Sequence, residues 1–125
     1  MLKDVRKQVR QTCEEQQINK SITENIILAV NEASMNIIQH GYHNNPNNKF
    51  TVLIALAENN IHKELVVQLI DQAKKIDPEK IKSRDLEDIK PGGIGVHMIH
   101  KLMDSANYID NEKNNGNILE LRKTL

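Results

Sequence analysis

The stretch ITENIILAVNEASMNIIQHGY, residues 22–42, decides the fold. At about 100° per residue it forms an amphipathic helix. Glu32 and Asn36 form a narrow polar strip between Leu28 and Met35, and His40 continues the strip one turn on. Side chains four apart stack on one helix face, so a carboxylate and an amide project side by side between apolar residues. The apolar face predicted to enter the core consists of Ile22, Ile26, Ala29, Val30, Ala33 and Ile37.

Two interpretations of this strip are open. Glu32 and Asn36 could form a solvated helix edge, with His40 a helix-end residue favoured by the helix dipole. Alternatively, Glu32 activates a water or hydroxyl, and the amide oxygen of Asn36 is a ligand for a hard cation such as magnesium. A Glu and an Asn in adjacent turns are common, so the strip alone does not choose between them.

The neighbouring elements follow from propensity and turn residues. Residues 2–17 are good helix formers, and Ser21 with Glu24 forms a capping box that predicts a second helix to about residue 40. Apolar and β-branched runs predict strands over 50–57, 61–70, 106–110 and 117–121, and a helix over 94–104. Helices and strands in separate runs predict one α+β domain over residues 1–125, built as a two-layer sandwich.

Composition excludes several function classes. Seventeen basic and seventeen acidic residues leave a formal net charge of zero, which predicts no direct binding to nucleic acid or to a membrane. There is no Trp for a base-stacking platform, and Cys13 as the only cysteine fits a reducing compartment. No signal peptide or long apolar stretch is found. We therefore expect a cytoplasmic protein.

Two further segments carry candidate ligand groups. Asp71 follows an apolar strand, where its carboxylate can accept a hydrogen bond from an exocyclic amine such as that of adenine; a turn-starting aspartate is the alternative. Pro91-Gly92-Gly93-Ile94-Gly95 opens a helix, whose free N–H groups suit phosphate; glycines that only turn the chain are the alternative. The polar stretch between them, about residues 72–93, predicts a lid.

These motifs, in this order, resemble a known family. Glu32-Ala33-Ser34-Met35-Asn36 with residues 37–42 resembles the asparagine box of the GHKL ATPase superfamily, specifically of the anti-sigma-factor serine kinases of the RsbW and SpoIIAB type. Residues 71–78 are similar to the first glycine box, residues 85–99 to the second, and residues 116–119 to the closing segment. The resemblance covers roughly residues 20–125.

The resemblance implies a Bergerat sandwich, a mixed sheet with helices on one face, that binds ATP and Mg²⁺. It implies that Glu32 is the general base towards a serine hydroxyl, that Asn36 holds magnesium, and that Asp71 binds the adenine amine. The other implied nucleotide contacts are His40, Ala73, Gly92, Gly93, Ile94, Gly95 and Val96.

The resemblance also implies partners. Such proteins hold a sigma factor or another regulator until a STAS-domain protein displaces it, they phosphorylate that STAS protein on Ser or Thr, and many are homodimers. Ala73 departs from the family because the first glycine box has glycine there, and the chain starts in a helix where the family has a strand. The alternative that these departures leave open is a binding switch that acts by sequestration alone, without kinase activity.

Overall fold

The computed structural model describes residues 2–45, 48–73, 91–109 and 116–125, with side chains from residue 97 onward in the third range. Over these ranges the helices are α1 (Leu2–Glu15), α2 (Lys20–Asn36), a π-helical turn (Ile37–Gly41) and α3 (Pro91–Leu102). The strands are β1 (Thr51–Glu58), β2 (Lys63–Asp71), β3 (Ser105–Ile109) and β4 (Asn117–Thr124). The predicted α+β class is confirmed.

The four strands form one sheet in the order β1-β2-β4-β3, and every neighbouring pair is antiparallel. The parallel pair that a mixed sheet requires is therefore not among the described strands. The strand that the resemblance places ahead of the first helix is also not among them, since the described residues begin in α1 at Leu2.

The helices cover one face of the sheet, and the core lies between the two layers. The predicted apolar face of α2 is confirmed: Ile22 is half-buried and the rest of that set is buried. Side chains four apart on α1 and on α3 join it, and alternate residues of β2 and β4 supply the sheet side. The main contributors outside α2 are Val5, Val9, Cys13, Leu65, Val67, Leu69, Ile99, Met103 and Leu121.

Helix α2 begins earlier than its sequence suggests. Its N-cap is Asn19, whose side-chain oxygen accepts a hydrogen bond from the backbone N–H of Ser21 at 2.7 Å. The capping box predicted at Ser21 and Glu24 is wrong, because Ser21 lies inside the helix and Glu24 pairs with Arg10 at 2.6 Å. Asn and Ser are about equally favourable at the N-cap position. The helix begins at the earlier of the two candidates, Asn19.

Helix α2 ends in the π-helical turn. The N–H of Tyr42 donates to the carbonyl of Ile37, five residues back, at 2.8 Å. After Ile37 the next buried residue is Tyr42, whereas an α-helix would bury residue 40 or 41. The wider turn therefore points Tyr42 inward and leaves His40 exposed. Single π turns within helices occur frequently at functional sites.

Helix α3 begins at Pro91, three residues before the predicted start. Proline is favoured at the first helical position, because its missing N–H has no partner there. At the other end, the Lys123 ammonium donates to the carbonyl of Leu102 at 2.8 Å. None of the described helices combines the length and the apolar character needed to cross a membrane.

Candidate functional site

Two of the segments singled out from sequence, the end of α2 and the Asp71 segment, meet at one end of the sheet. The first turn of α2 and Lys63, at the start of β2, line one groove. The helix runs from there to the opposite end of the sheet, where the Tyr42 hydroxyl accepts a hydrogen bond from the Gln72 N–H. Helix α3 ends beside Lys123, at the same end of the sheet as Lys63, and packs against α2. Twelve helical residues span about 18 Å. The first turn of α3 therefore lies towards the end that holds Asp71 and the last turn of α2.

The polar strip of α2 is open to a ligand. Glu32 and Asn36 stand one turn apart and both are half-buried. Neither side chain makes a hydrogen bond or ion pair within the described residues. Leu28, on one side of the strip, is 44% exposed, and Met35, on the other, is half-buried. A carboxylate and an amide oxygen without protein partners can bind a cation or a hydroxyl.

Asp71 is the most constrained polar residue at this end. It is 4% exposed, and its Oδ1 accepts three hydrogen bonds: from the Ala73 N–H at 2.9 Å, from the Asn117 side-chain amide at 3.1 Å and from the Asn117 N–H at 3.3 Å. Its other oxygen, Oδ2, has no hydrogen bond within the described residues. Every side-chain oxygen of the described residues that is fully buried has a hydrogen-bond partner. Because Oδ2 has none, it must retain contact with solvent. One oxygen thus fixes the carboxylate and the other can accept a ligand donor.

Gly116 and Asn117, which begin the closing segment of the resemblance, both contact Asp71, and the sequence predicts no such contact. Asn117 lies directly opposite Asp71 in the β2–β4 register. A Cβ at Gly116 would lie 1.8 Å from the carbonyl oxygen of Asp71, so only glycine lets the two backbones meet. Asn117 lies 46 residues along the chain from Asp71, so local sequence patterns do not reveal this contact.

Tyr108 on β3 lies on the helix-covered face of the sheet, where it pairs with Leu119. Burial raises the pKa of the Tyr108 hydroxyl to about 12, and the negative charge of Asp71 adds to the rise. Leu119 also pairs with Leu69 of β2, two residues before Asp71, so Tyr108 and Asp71 share one face of the sheet.

Ala73 occupies its position without backbone strain. Its N–H bonds the carboxylate two residues back, which is an Asx-turn. Among the described non-glycine residues, positive φ angles occur at Gln17, His43 and Asn44 and not at Ala73. A Cβ at Gly41 would lie 3.1 Å from the Cβ of Ala73, so the buried methyl packs against Gly41. The backbone here needs no glycine at position 73.

The glycine-rich segment forms the first turn of α3. The N–H groups of Gly92 and Gly93 lie where a helix leaves its donors without internal partners, which suits an anion. Gly95 follows within the next turn, between Ile94 and Val96, whose side chains lie outside the described residues. Residues 74–90, most of the expected lid, also lie outside them. His40 is exposed on the π-helical turn. Because a π turn has more residues than an α turn, His40 does not lie on the same helix face as Asn36.

Residues 1–123 match the histidine kinase-like ATPase domain family. The chain belongs to this family. The histidine kinase-like ATPase domain described here is also 28% identical, over 91 residues, to the serine-protein kinase RsbW of Oceanobacillus iheyensis. The match covers 66% of the chain and 55% of that relative, so the chain spans about half the relative's length. The predicted family and fold class are confirmed.

The donor set of this ATPase domain fits ATP and magnesium. The carboxylate oxygen Oδ2 of Asp71 is an acceptor for an amine, and the side-chain oxygen of Asn36 is a hard ligand suited to Mg²⁺. The first turn of α3 supplies backbone donors for phosphate. Asp71 and the last turn of α2 lie at one end of the sheet, and α3 ends at the opposite end, beside Lys123.

Proposed function

We propose that this domain binds ATP with Mg²⁺ at the end of the sheet where α2, β2, β4 and α3 meet. The observation that carries the proposal is the carboxylate of Asp71, held through Oδ1 by three N–H donors while Oδ2 is open. A fixed acceptor in a nearly buried setting favours a ligand that brings a donor, because an unpaired polar group there is costly. The exocyclic amine of adenine is such a donor.

The phosphate end of the proposed site lies between α2 and α3. Asn36 would hold the magnesium ion that bridges the phosphates, and the N–H groups of Gly92 and Gly93 would receive phosphate oxygens. Further contacts would come from Gly95 and its neighbours along the first turns of α3, and the lid over about 72–93 would cover the nucleotide.

The proposed reaction is phosphoryl transfer to a protein serine or threonine. Transfer of this kind depends on positioning and charge stabilisation, and Glu32 stands one turn from Asn36 with no partner among the described residues. Glu32 would take the proton of the substrate hydroxyl as general base. The similarity to a serine-protein kinase supports this assignment.

The proposed partners follow from the same similarity. The substrate would be a STAS-domain protein, and the domain would sequester a sigma factor or another regulator until that protein displaces it. The domain would act in the cytoplasm as a homodimer. A switch without kinase activity was the alternative because Ala73 replaces a glycine. The ordinary backbone at Ala73 and the packing of its methyl against Gly41 support the kinase over that alternative.

Calorimetric titration with ATP and Mg²⁺ tests the binding proposal. We expect saturable binding, and Asn36→Ala should weaken it at least about tenfold, or about 1.4 kcal/mol. Asn25→Ala is the matched control: this asparagine lies on α2 eleven residues earlier, about 16 Å along the helix axis, and its loss should leave affinity unchanged. Absence of binding at millimolar ATP would refute the nucleotide site.

A further inference from the structure

The π-helical turn brings the side chain of Tyr42 next to the proposed site, and the proposed chemistry does not use this side chain. Tyr42 follows this turn and is 6% exposed, with its ring in the core. In a continuous α-helix residue 41 would take the inward position, and residue 42 would lie about 100° away from it. The extra residue in the turn therefore determines that a tyrosine enters the core here.

The hydroxyl of Tyr42 joins three segments of the chain. It accepts a hydrogen bond from the N–H of Gln72 at 2.6 Å and donates one to the carbonyl of Lys49 at 2.8 Å. Tyr42 itself ends the α2 segment, Lys49 leads into β1, and Gln72 follows β2. A buried hydroxyl that both donates and accepts a hydrogen bond is held from two sides, so its position is well determined.

The contact at Gln72 bears on the base site. Gln72 lies between Asp71, whose Oδ2 is open, and Ala73, whose N–H holds Oδ1. The residue before Tyr42, Gly41, packs against the methyl of Ala73. The end of α2 thus contacts the turn formed by residues 71–73 in two ways, by a hydrogen bond and by van der Waals packing.

We propose that Tyr42 is a positioning residue for the nucleotide base: its hydroxyl fixes the Asp71–Ala73 turn to the end of α2 and thereby sets the distance between the base acceptor and the magnesium end of the site. This inference rests on the proposed function. It assigns to Tyr42 an effect on base recognition that acts through Asp71, without contact between Tyr42 and the nucleotide.

Replacement Tyr42→Phe tests the inference, because it removes the hydroxyl and keeps the ring. The probes are ATP and inosine triphosphate, which has a carbonyl oxygen where ATP has the exocyclic amine. Wild type should prefer ATP, and Tyr42→Phe should lower that preference about fivefold, the value of one ordinary hydrogen bond. Binding of inorganic tripolyphosphate with Mg²⁺ should stay unchanged, since it reports only on the phosphate end.

Thr23→Val is the matched control for a lost buried hydroxyl. Thr23 donates to the carbonyl of Asn19 at 3.0 Å, at the opposite end of α2. It should lower stability and leave the preference for ATP unchanged. An equal fall in preference for both variants would show that general destabilisation is the cause, and would overturn the inference.

The remaining outcomes separate the two proposals. A wild type that binds neither nucleotide, or binds both equally, refutes the proposed base site itself. A wild type that prefers ATP with a Tyr42→Phe variant within twofold of that preference refutes only the role of Tyr42. Should the variant not fold, hydrogen exchange on the wild type decides: the Gln72 amide should be protected, and exchange at the rate of an open loop would refute the inference.

Discussion

The contact between Gly41 and Ala73 can be tested by moving the methyl group from one residue to the other. Ala73→Gly removes the methyl, Gly41→Ala adds one, and the double variant exchanges the two. Neither position has a positive φ, so the backbone tolerates either residue at both places. The effects should therefore report on packing and on the freedom of the unfolded chain, and not on backbone strain.

The magnitudes follow from burial and distance. Loss of the buried methyl of Ala73, together with the greater freedom of glycine in the unfolded chain, should lower the free energy of unfolding by about 1–2 kcal/mol. In Gly41→Ala the two Cβ atoms would be 3.1 Å apart, closer than the optimum of about 3.5–4.0 Å, and overpacking should cost about 1–3 kcal/mol. In the double variant the crowding disappears, so its loss should be about 1 kcal/mol smaller than the two single losses together.

Urea unfolding of the four proteins measures this coupling, and calorimetry with ATP and Mg²⁺ measures its consequence for binding. Because the methyl packs against Gly41, Ala73→Gly should change ATP affinity by less than about twofold, or 0.4 kcal/mol. Additive stability losses would refute the contact. A tenfold gain in ATP affinity on Ala73→Gly would show that the methyl crowds the nucleotide, and would restore the interpretation of this protein as a weakened switch.

Three further results are expected. Glu32→Gln should keep ATP affinity but abolish transfer of labelled phosphate to the proposed STAS-domain substrate, and retained transfer would remove Glu32 from its proposed role. Gly116→Ala should cost about 3 kcal/mol in urea unfolding, since its Cβ would meet the Asp71 carbonyl oxygen; an unchanged midpoint would contradict that backbone contact. The amide of Gln68, and secondarily Arg122, holds the pKa of Glu120 below its usual 4.5, so this stabilisation is present above pH 4.5 and is lost as pH falls through the lowered pKa. Glu120→Gln should flatten the decline of stability in that acid range, and a decline as steep as that of wild type would refute this.

Much of the fold is predictable because it follows local periodicity. The apolar face of α2 and the four strands follow from spacing alone, with strand ends shifted by a few residues. The start of α2 is mispredicted because Asn19 and Ser21 are competing caps. The π turn is missed because local periodicity at Ile37 continues an α-helix, and only the inward position of Tyr42 shows that the helix has widened.

The candidate site divides in the same way. Glu32 and Asn36 are found from sequence because four-residue spacing on a helix is a local property. The partners of Asp71 are not, because Asn117 reaches it only through the β2–β4 pairing, 46 residues along the chain. Tyr42 appears in the sequence as one residue of a motif, and its contact with Gln72 depends on where β2 ends. Local pattern therefore identifies the groups on α2, while the base site requires the sheet.

The pairing of Asp71 with Asn117 also bears on the order of events in folding. Formation of the β1–β2 hairpin closes only a short loop. Pairing of β2 with β4 joins segments nearly half a chain apart, so we expect this pairing to form more slowly. The Asp71 carboxylate, the proposed acceptor for the base, is thus oriented only when β4 has docked. A nucleotide that needs this oxygen should bind the finished domain and not a partly folded one, so that ATP would stabilise the native state by mass action and report on its completion.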